Sequence, residues 1–397
     1  MTKVFNRFHS RFGSIYPLFQ VIGQSFEPLS DQNISVLKFL TRLVVSFYIL
    51  FEIVAMIYSL INPYKLFFGT DSMGMLTDAI QFEIPTVLPL VVIILSIHFR
   101  KLQRKILVTM DEIDDIFESL TSTDHLNSQN ELFQSSFYKN FYLMNITCIA
   151  VEIFIISRIT KNVIWYRNWL IKFPMFVLQR FNDSFFILHA NYLQNRFSFL
   201  HDTMSDCFSE KFNKIVFKET ITSLSVNRLD KLKDVHNLLM MLTLDINRRF
   251  GYHLLLCTTG LFICMTIDGY WIFASLNLAG NHFSVESFMC VLPPVINFCV
   301  LFFACDSCES EALETGRHLS MITPNEFAFN ASEKIRQFFL QIQNEPLNLT
   351  AAEFFTLNLN SLASTFAAVA TFLVIYVQFL PNNDSFADYN KEFNITE

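Results

Sequence analysis

The chain has 397 residues, of which 52% are hydrophobic and only 16% are charged, and its formal net charge is −7. Because soluble domains carry about a quarter charged residues, this composition predicts a membrane protein, and the acidic balance gives no sign of a nucleic-acid partner. The sequence has no glycine-rich phosphate loop and no metalloprotease or serine-hydrolase motif. We therefore expect no enzyme, no catalytic residue and no cofactor.

Seven apolar segments approach or exceed the length of about 20 residues that a helix needs to cross the hydrocarbon core. They predict an all-α, polytopic protein with seven transmembrane helices. The segments lie at about 36–61, 77–99, 141–157, 173–193, 251–276, 287–304 and 361–380.

These segments divide the chain into regions with different expected environments. Helices that extend below the membrane could pack into a joint cytoplasmic region before the seventh helix. The regions are a cytoplasmic N-terminus (1–35), transmembrane helices one to four (36–200), cytoplasmic extensions of helices four and five (201–250), helices five and six (251–304), the cytoplasmic anchor region (305–360), the seventh helix (361–380) and an extracellular tail (381–397).

The Lys and Arg residues predict the orientation of these helices. Most of them lie in the N-terminus and in the loops after the second, fourth and sixth segments. Positive loops face the cytoplasm, so the N-terminus is expected inside and the C-terminus outside. This is the reverse of a G-protein-coupled receptor. Asn383 and Asn394 start N-x-[ST] triplets in the predicted extracellular tail and are candidate glycosylation sites.

Ionisable side chains inside apolar segments normally face the bundle interior or one another, because a charge in lipid is costly. Arg180 and Asp183 are three residues apart and could pair on one helix face. Glu83, Glu152 and Asp268 lie toward the predicted outer halves, where a pocket open to the outside would contact ligand.

Aromatic residues cluster at the predicted outer interface, including Tyr270 and Trp271. They fit an aromatic belt at the headgroup level or the mouth of a ligand pocket. The cysteines lie mostly in apolar runs, which does not predict a disulfide framework, and the single C-x-x-C at Cys305 and Cys308 does not predict a metal site.

Two segments before the last apolar run carry helix signals. NASEKIRQFFLQIQNEP starts at Asn330, has apolar residues at helical spacing and reaches Pro346, which predicts an amphipathic helix. TAAE, Thr350 to Glu353, fits a capping box that would open the approach to the last helix.

The last apolar segment carries small and polar residues at intervals of three or four. The stripe consists of Ser361, Ser364, Ala368, Thr371, Ile375, Gln378 and Asn382. Such a stripe favours close helix packing or a helix that lines a water-filled path, and the pattern does not choose between them. A pore would require several copies around an axis.

The same region resembles the C-terminal signature of insect gustatory receptors, which is Thr-Tyr, five hydrophobic residues and Gln-Phe. Here it is Thr371-Phe372-Leu-Val-Ile-Tyr-Val-Gln378-Phe379, preceded by ACDSCESEALETGRHL and TAAEFF. Phe372 stands where the signature has Tyr, which removes one hydroxyl group.

The resemblance implies a gustatory receptor that is a non-selective cation channel of four subunits, opened by a small-molecule tastant and located in the plasma membrane of a sensory dendrite. Its partners would be membrane lipid and identical or related receptor subunits. The seventh helices would line the pore, with Thr371, Ile375, Gln378 and Phe379 at the gate. A bitter ligand is expected in an outward pocket, with Glu83, Glu152, Asp268, Tyr270 and Trp271 as candidate contacts.

Two other classes share the seven-helix pattern. A G-protein-coupled receptor requires the opposite topology, and the sequence has no Asp-Arg-Tyr at the inner end of the third helix. A secondary transporter is expected to show repeat symmetry and broken helices near the midplane. Pro293-Pro294 is a candidate break, but no counterpart occurs elsewhere in the chain.

Overall fold

The computed structural model describes residues 12, 15–22, 34–61, 72–121, 123–158, 163–212, 220–278, 284–321, 329–344 and 346–378. Within these ranges the chain is almost entirely α-helical. The elements are α1 (Tyr16–Val21), α2 (Ile34–Ile61), α3 (Ser72–His98), α4 (Arg100–Leu120), α5 (Thr123–Arg158), α6 (Val163–Phe212), α7 (Thr220–Leu278), α8 (Ser284–Met321), α9 (Phe329–Asn344), β1 (Thr350–Ala351), β2 (Phe355–Thr356) and α10 (Leu359–Val377).

The predicted transmembrane segments fall on α2, α3, α5, α6, α7, α8 and α10. Five of these described helices contain stretches that are long and apolar enough to cross a membrane. They are Ala79–His98, His125–Arg158, Asn227–Phe273, Val285–Arg317 and Leu359–Val377. The helix α6 is not among these five, and it carries Lys172, Arg180 and Asp183 in its apolar part. The count of seven crossings therefore stays a prediction.

Several helices are much longer than a membrane crossing. The helix α6 has 50 residues and α7 has 59 residues. At about 1.5 Å per residue, α7 is roughly 88 Å long, whereas the hydrocarbon core is about 30 Å thick. These helices must project beyond the membrane, where they bury apolar side chains against α4 and α9.

A buried hydrogen-bonded network joins α4, α5 and α6 in this projecting bundle. Arg196 donates from Nε to Oδ1 of Asp114 over 2.9 Å and from Nη2 to Oδ1 of Asn130 over 2.5 Å. The Tyr192 hydroxyl donates to Asp114 over 3.1 Å. A buried guanidinium group is stable when it faces an opposite charge and its N–H groups are hydrogen-bonded. This network therefore fixes how the three helices pack.

The amphipathic helix before the last apolar segment is confirmed as α9, which ends at Asn344, two residues before Pro346. Phe338 and Ile342 lie on its buried face. Phe338 contacts the ring of His236 in α7, with ring centroids 5.3 Å apart. The helix thus packs against the projecting part of α7, as its apolar stripe predicts.

The capping box expected at TAAE is wrong, because these residues form a β-hairpin. The strands β1 and β2 pair antiparallel, and Phe354 donates its N–H to the Ala351 carbonyl over 3.0 Å. Ala352 and Glu353 have φ angles of 49° and 64°, the left-handed values of a type I′ turn, which exclude a first helical turn. The cap of α10 is instead Asn358, whose side chain accepts from Ser361 N–H over 3.0 Å.

The hairpin is held against α7 by an amide and a glycine one turn apart. Asn247 donates to the Asn348 carbonyl over 2.8 Å and accepts from the Thr350 N–H over 3.1 Å. A Cβ atom at Gly251 would lie only 3.0 Å from the backbone nitrogen of Ala352. The hairpin backbone can therefore approach α7 this closely only because residue 251 lacks a side chain.

We expect Gly251→Ala to destabilise the protein, because the added methyl group meets backbone atoms that cannot rotate away. Gly316→Ala is the matched control, because its Cβ would meet Cγ2 of the Ile342 side chain at 3.1 Å, which can adjust. Thermal unfolding of the purified receptor should show a lower midpoint for Gly251→Ala than for Gly316→Ala. Equal midpoints would contradict the tight docking of the hairpin.

Candidate functional site

A small cavity lies among α3, α5, α6, α7 and α8, on the predicted outer side of the membrane. Its volume is about 70 Å³. Drug-sized ligands occupy pockets of about 300–1,000 Å³, so the cavity must widen to accept such a ligand. The lining residues are Gln81, Pro85, Glu152, Trp169, Lys172, Phe176, Gln179, Arg180, Leu261, Cys264, Asp268, Cys290, Pro293, Pro294 and Asn297.

One wall of the cavity is a buried ion pair between α5 and α6. Arg180 donates from Nη1 to Oε1 of Glu152 over 2.5 Å and from Nη2 to Oε2 over 2.8 Å. Both side chains are at most 4% exposed. The predicted local pair of Arg180 with Asp183 is therefore wrong, because a carboxylate on the neighbouring helix offers two parallel hydrogen bonds to the guanidinium group.

Asp183 instead lies at the centre of a second polar cluster, which reaches the cavity through Gln179 and Asn297. Its carboxylate is 2.9 Å from His253 Nε2 in α7 and accepts from Asn297 Nδ2 in α8 over 2.5 Å. Gln179 Nε2 donates to it over 3.1 Å. Since Gln179 and Asn297 also line the cavity, a bound molecule would touch residues that hold three helices together.

The donor atoms of Asp183, His253 and Cys257 lie within 4.8 Å of one another. A carboxylate, an imidazole and a thiol are common ligands of a transition metal. Here the Asp183 carboxylate is already occupied by side chains of α6, α7 and α8, so the group serves as a hydrogen-bonded contact among these helices.

On the opposite wall, Asp268 of α7 accepts a hydrogen bond from Gln81 of α3 over 2.5 Å. The buried ammonium group of Lys172 lines the same cavity. This side of the cavity therefore presents a carboxylate, an amide and a cation to a ligand. Such a set can orient a small molecule that has hydrogen-bonding groups.

The structure brings together two of the five predicted ligand residues, because Glu152 and Asp268 both line the cavity. Glu83 is half-buried and lies outside the lining, between Gln81 and Pro85 on α3. Tyr270 and Trp271 are buried in a cluster with Ile267 that packs against α10. The Tyr270 ring lies 6.1 Å from the ring of Tyr376.

The helix α10 is the least covered of the five apolar helices, with 11% of its spanning stretch buried. Leu362 and Val369 are its buried residues, and Phe366 and Leu373 continue this face along α7 and α8. The predicted gate residues Thr371, Ile375 and Gln378 are exposed. Phe379 lies outside the described residues, as do Asn383 and Asn394.

A larger groove of about 850 Å³ opens between α5, α6 and α8 toward their predicted inner ends. It is lined mainly by apolar side chains, among them Phe137, Phe141 and Phe303. The small cavity is the better candidate ligand site despite its size, because it contains Glu152, Arg180, Lys172 and Asp268, whereas Glu311 is the one charged residue in the groove lining.

Signals for the missed lining residues were weak in the sequence. Gln81 lies 187 positions before its partner Asp268. Lys172 and Gln179 lie on α6, where charged residues interrupt the apolar pattern. A polar residue within an apolar segment is the one available sign, and at Asn297 it does not indicate the partner, Asp183.

We expect Arg180→Gln and Glu152→Gln each to lower stability by about 3–5 kcal/mol, because each leaves a buried charge without its partner. The double variant should recover part of this loss. Arg317→Gln is the control, because its pair with Glu314 is exposed and contributes about 0–1 kcal/mol. Thermal unfolding in detergent would measure all four, and a single variant as stable as Arg317→Gln would contradict the buried pair.

Comparison with known proteins identifies the family to which the chain belongs. Residues 12–383 match the family described as 7tm Chemosensory receptor. Gustatory receptor 23a of Drosophila melanogaster is 28% identical over 168 residues, which cover 41% of this chain and 44% of that receptor. Gustatory and pheromone receptor 39a, isoform D, of Drosophila melanogaster is 31% identical over 154 residues, or 37% of this chain and 40% of that receptor. The chain thus spans less than half the length of these relatives.

The fold agrees with this result. The structure of the insect olfactory receptor OR5 from Machilis hrabei in complex with eugenol matches with a TM-score of 0.60 at 12% identity. The match covers 94% of this chain and 98% of that receptor. The predicted resemblance to insect gustatory receptors is confirmed: the chain belongs to the 7tm chemosensory receptor family and is a multi-pass membrane protein.

Proposed function

We propose that the chain is a gustatory receptor subunit of a ligand-gated, non-selective cation channel opened by a small-molecule tastant. Four subunits, identical or mixed with related receptors, would surround a pore lined by α10. The protein would lie in the plasma membrane of a sensory dendrite, with its N-terminus in the cytoplasm and its C-terminus outside. The observation that carries this proposal is the exposed polar face of α10.

That face is poorly suited to lipid at its outer end. The hydroxyls of Ser364 and Thr371 donate to carbonyls one turn earlier, so lipid could tolerate them. The exposed Gln378 amide has no hydrogen bond within the described chain. An amide group without a partner is costly in hydrocarbon, which favours a water-filled surface at this position. Four copies of α10 around an axis would supply it.

The ligand would enter from outside and occupy the cavity between Glu152 and Asp268. The solved receptor OR5 holds eugenol, and one relative is a gustatory and pheromone receptor. These names support a small organic ligand. We favour a bitter plant-derived compound with hydrogen-bonding groups, because the cavity combines the Asp268 carboxylate with the Lys172 ammonium group inside apolar walls.

We expect Gln378→Glu to raise the permeability of divalent cations relative to sodium, and Gln378→Lys to lower cation permeability, because a charge at the pore mouth acts directly on passing ions. Reversal potentials of whole-cell currents would measure this. Gln343→Glu, an exposed amide on α9, is the control for an added charge elsewhere. Unchanged permeability ratios in both Gln378 variants would contradict the pore position.

A C-terminal epitope tag in the same cells tests the orientation. A tag visible on intact cells agrees with seven crossings and an outside C-terminus, and it also measures surface expression of each variant. A tag that becomes visible only after permeabilisation would overturn the proposed orientation and, with it, the channel assignment.

We expect Asp268→Asn to raise the ligand concentration for half-maximal current by about tenfold or more, because one charged hydrogen bond contributes about 1.5–3 kcal/mol. Dose–response curves with a ligand found by screening would measure the shift. Glu83→Gln is the matched control, because Glu83 lies on α3 outside the cavity lining. Equal shifts in the two variants would place the ligand elsewhere, with the 850 Å³ groove as the next site to test.

A further inference from the structure

We propose that the junction of α3 and α4, together with the facing turn of α7, binds the phosphorylated headgroup of an inner-leaflet phosphoinositide. The site, here called the basic junction, consists of Arg100, Lys101, Arg104 and Arg248, with the buried Arg249 behind them. The proposal uses the orientation proposed above, and its binding test does not depend on channel activity.

Two contacts place these cations beside one another. Near the end of α3, the Ser96 hydroxyl accepts from Arg249 Nη2 over 3.0 Å. Nine residues later, Lys105 Nζ lies 2.8 Å from Oδ2 of Asp245. The two helices run in opposite directions, so the turn that carries Arg100, Lys101 and Arg104 lies along residues 245–249 of α7, where Arg248 is exposed.

The basic junction has a large uncompensated positive charge. Arg100, Lys101, Arg104 and Arg248 are all exposed, and none forms an ion pair with another residue of the described ranges. Asp245 is already paired with Lys105. Four cations within about two helical turns match a headgroup with several phosphates better than a headgroup with a single charge. Arginine guanidinium groups, present at three of the four positions, bind phosphate through paired hydrogen bonds.

Arg249 supplies a second and independent reason for an anion here. Its side chain is buried, and its Nε and Nη1 atoms have no hydrogen-bond partner. Its described contacts are Ser96 and the ring of Phe250, 4.8 Å away. Burial of a guanidinium group without a carboxylate partner carries a large desolvation penalty. A nearby phosphate lowers this penalty, because charges attract strongly where the dielectric constant is low.

The surroundings fit a lipid rather than a soluble anion. Ile94 and Ile97, seven and four residues before Lys101 in the last turns of α3, are 54% and 44% exposed. The predicted hydrocarbon boundary lies at about residue 99, so these side chains would face acyl chains while the cations face the headgroup. Tyr252, one turn after Arg248 on α7, is also exposed and provides an amphipathic ring at the interface.

A lipid in this position would contact α7, against which the hairpin before the proposed pore helix α10 packs. Arg248 is three residues before Gly251, against which the hairpin at Ala352 packs. The hairpin leads directly into α10. Binding of the headgroup therefore favours one position of α7 relative to the membrane, and we expect it to change how readily the channel opens.

The direct test uses the purified full-length receptor and a fluorescent short-chain phosphatidylinositol bisphosphate, with anisotropy as the readout. The variant Arg100→Gln/Lys101→Gln/Arg104→Gln should bind roughly 100-fold more weakly, since each cation near an anionic lipid contributes about a fivefold factor. The charge-matched control is Lys139→Gln/Arg317→Gln/Arg336→Gln, which removes three exposed cations elsewhere and should retain affinity. Equal affinity of the two triple variants would overturn the proposal.

Two further measurements identify the source of the phosphate and protect against misfolding. Inositol trisphosphate or inorganic phosphate that displaces the lipid at equal concentration would assign the site to a soluble anion and overturn the lipid assignment. The milder variant Arg104→Gln should weaken binding about fivefold with an unchanged unfolding midpoint. Normal lipid affinity of Arg104→Gln in a folded receptor would contradict its place in the site.

Discussion

The transmembrane part of this receptor depends on the pairing of charged groups that have no access to water. Arg180 and Glu152 join α5 to α6, and Asp183 with His253 and Asn297 joins α6 to α7 and α8. Burial of each charge costs little free energy only while its partner stays within hydrogen-bonding distance. These contacts therefore fix the register of the four helices. Three of these side chains, Glu152, Arg180 and Asn297, line the cavity. Stability and ligand recognition therefore depend on common residues, and a ligand that displaces one partner acts on the packing of the bundle.

The last helix is attached to this bundle in a different way. It has few buried residues of its own, and its position is set by a hairpin, an Asn cap and the Asp306 carboxylate, which accepts from the Leu359 N–H over 3.0 Å. Its inner face packs on α7 and α8 through aromatic rings, such as Phe366 against Phe298 and Phe372 against Phe262. The remaining face is left for neighbours in an assembly or for water, which is the basis of the proposed pore.

The sequence predicted the helical class and most helix positions because lipid requires long apolar helices whatever their tertiary contacts. It also located the family motif and two lining residues of the cavity, Glu152 and Asp268. The partners were not predictable, since Arg180 finds a carboxylate 28 residues away in place of the one three residues away. The hairpin was missed because Thr-x-x-Glu fits a capping box, and Ala352 and Glu353 are not the Gly or Asn residues that normally mark a type I′ turn.

The close approaches at Gly251 and Gly269 have a mechanical consequence. Gly251 meets the hairpin at Ala352, and Gly269 meets the side chain of Leu373 near the far end of α10. The two glycines are 18 residues apart, so the attachments lie roughly 27 Å from each other along α7. Two attachments at this separation allow α10 little rotation of its own, and α7 and α10 move together as one lever. A tilt of about 4° moves the end of such a lever by about 2 Å. Small changes in the slope of α7 would therefore be sufficient to change the width of a pore lined by α10.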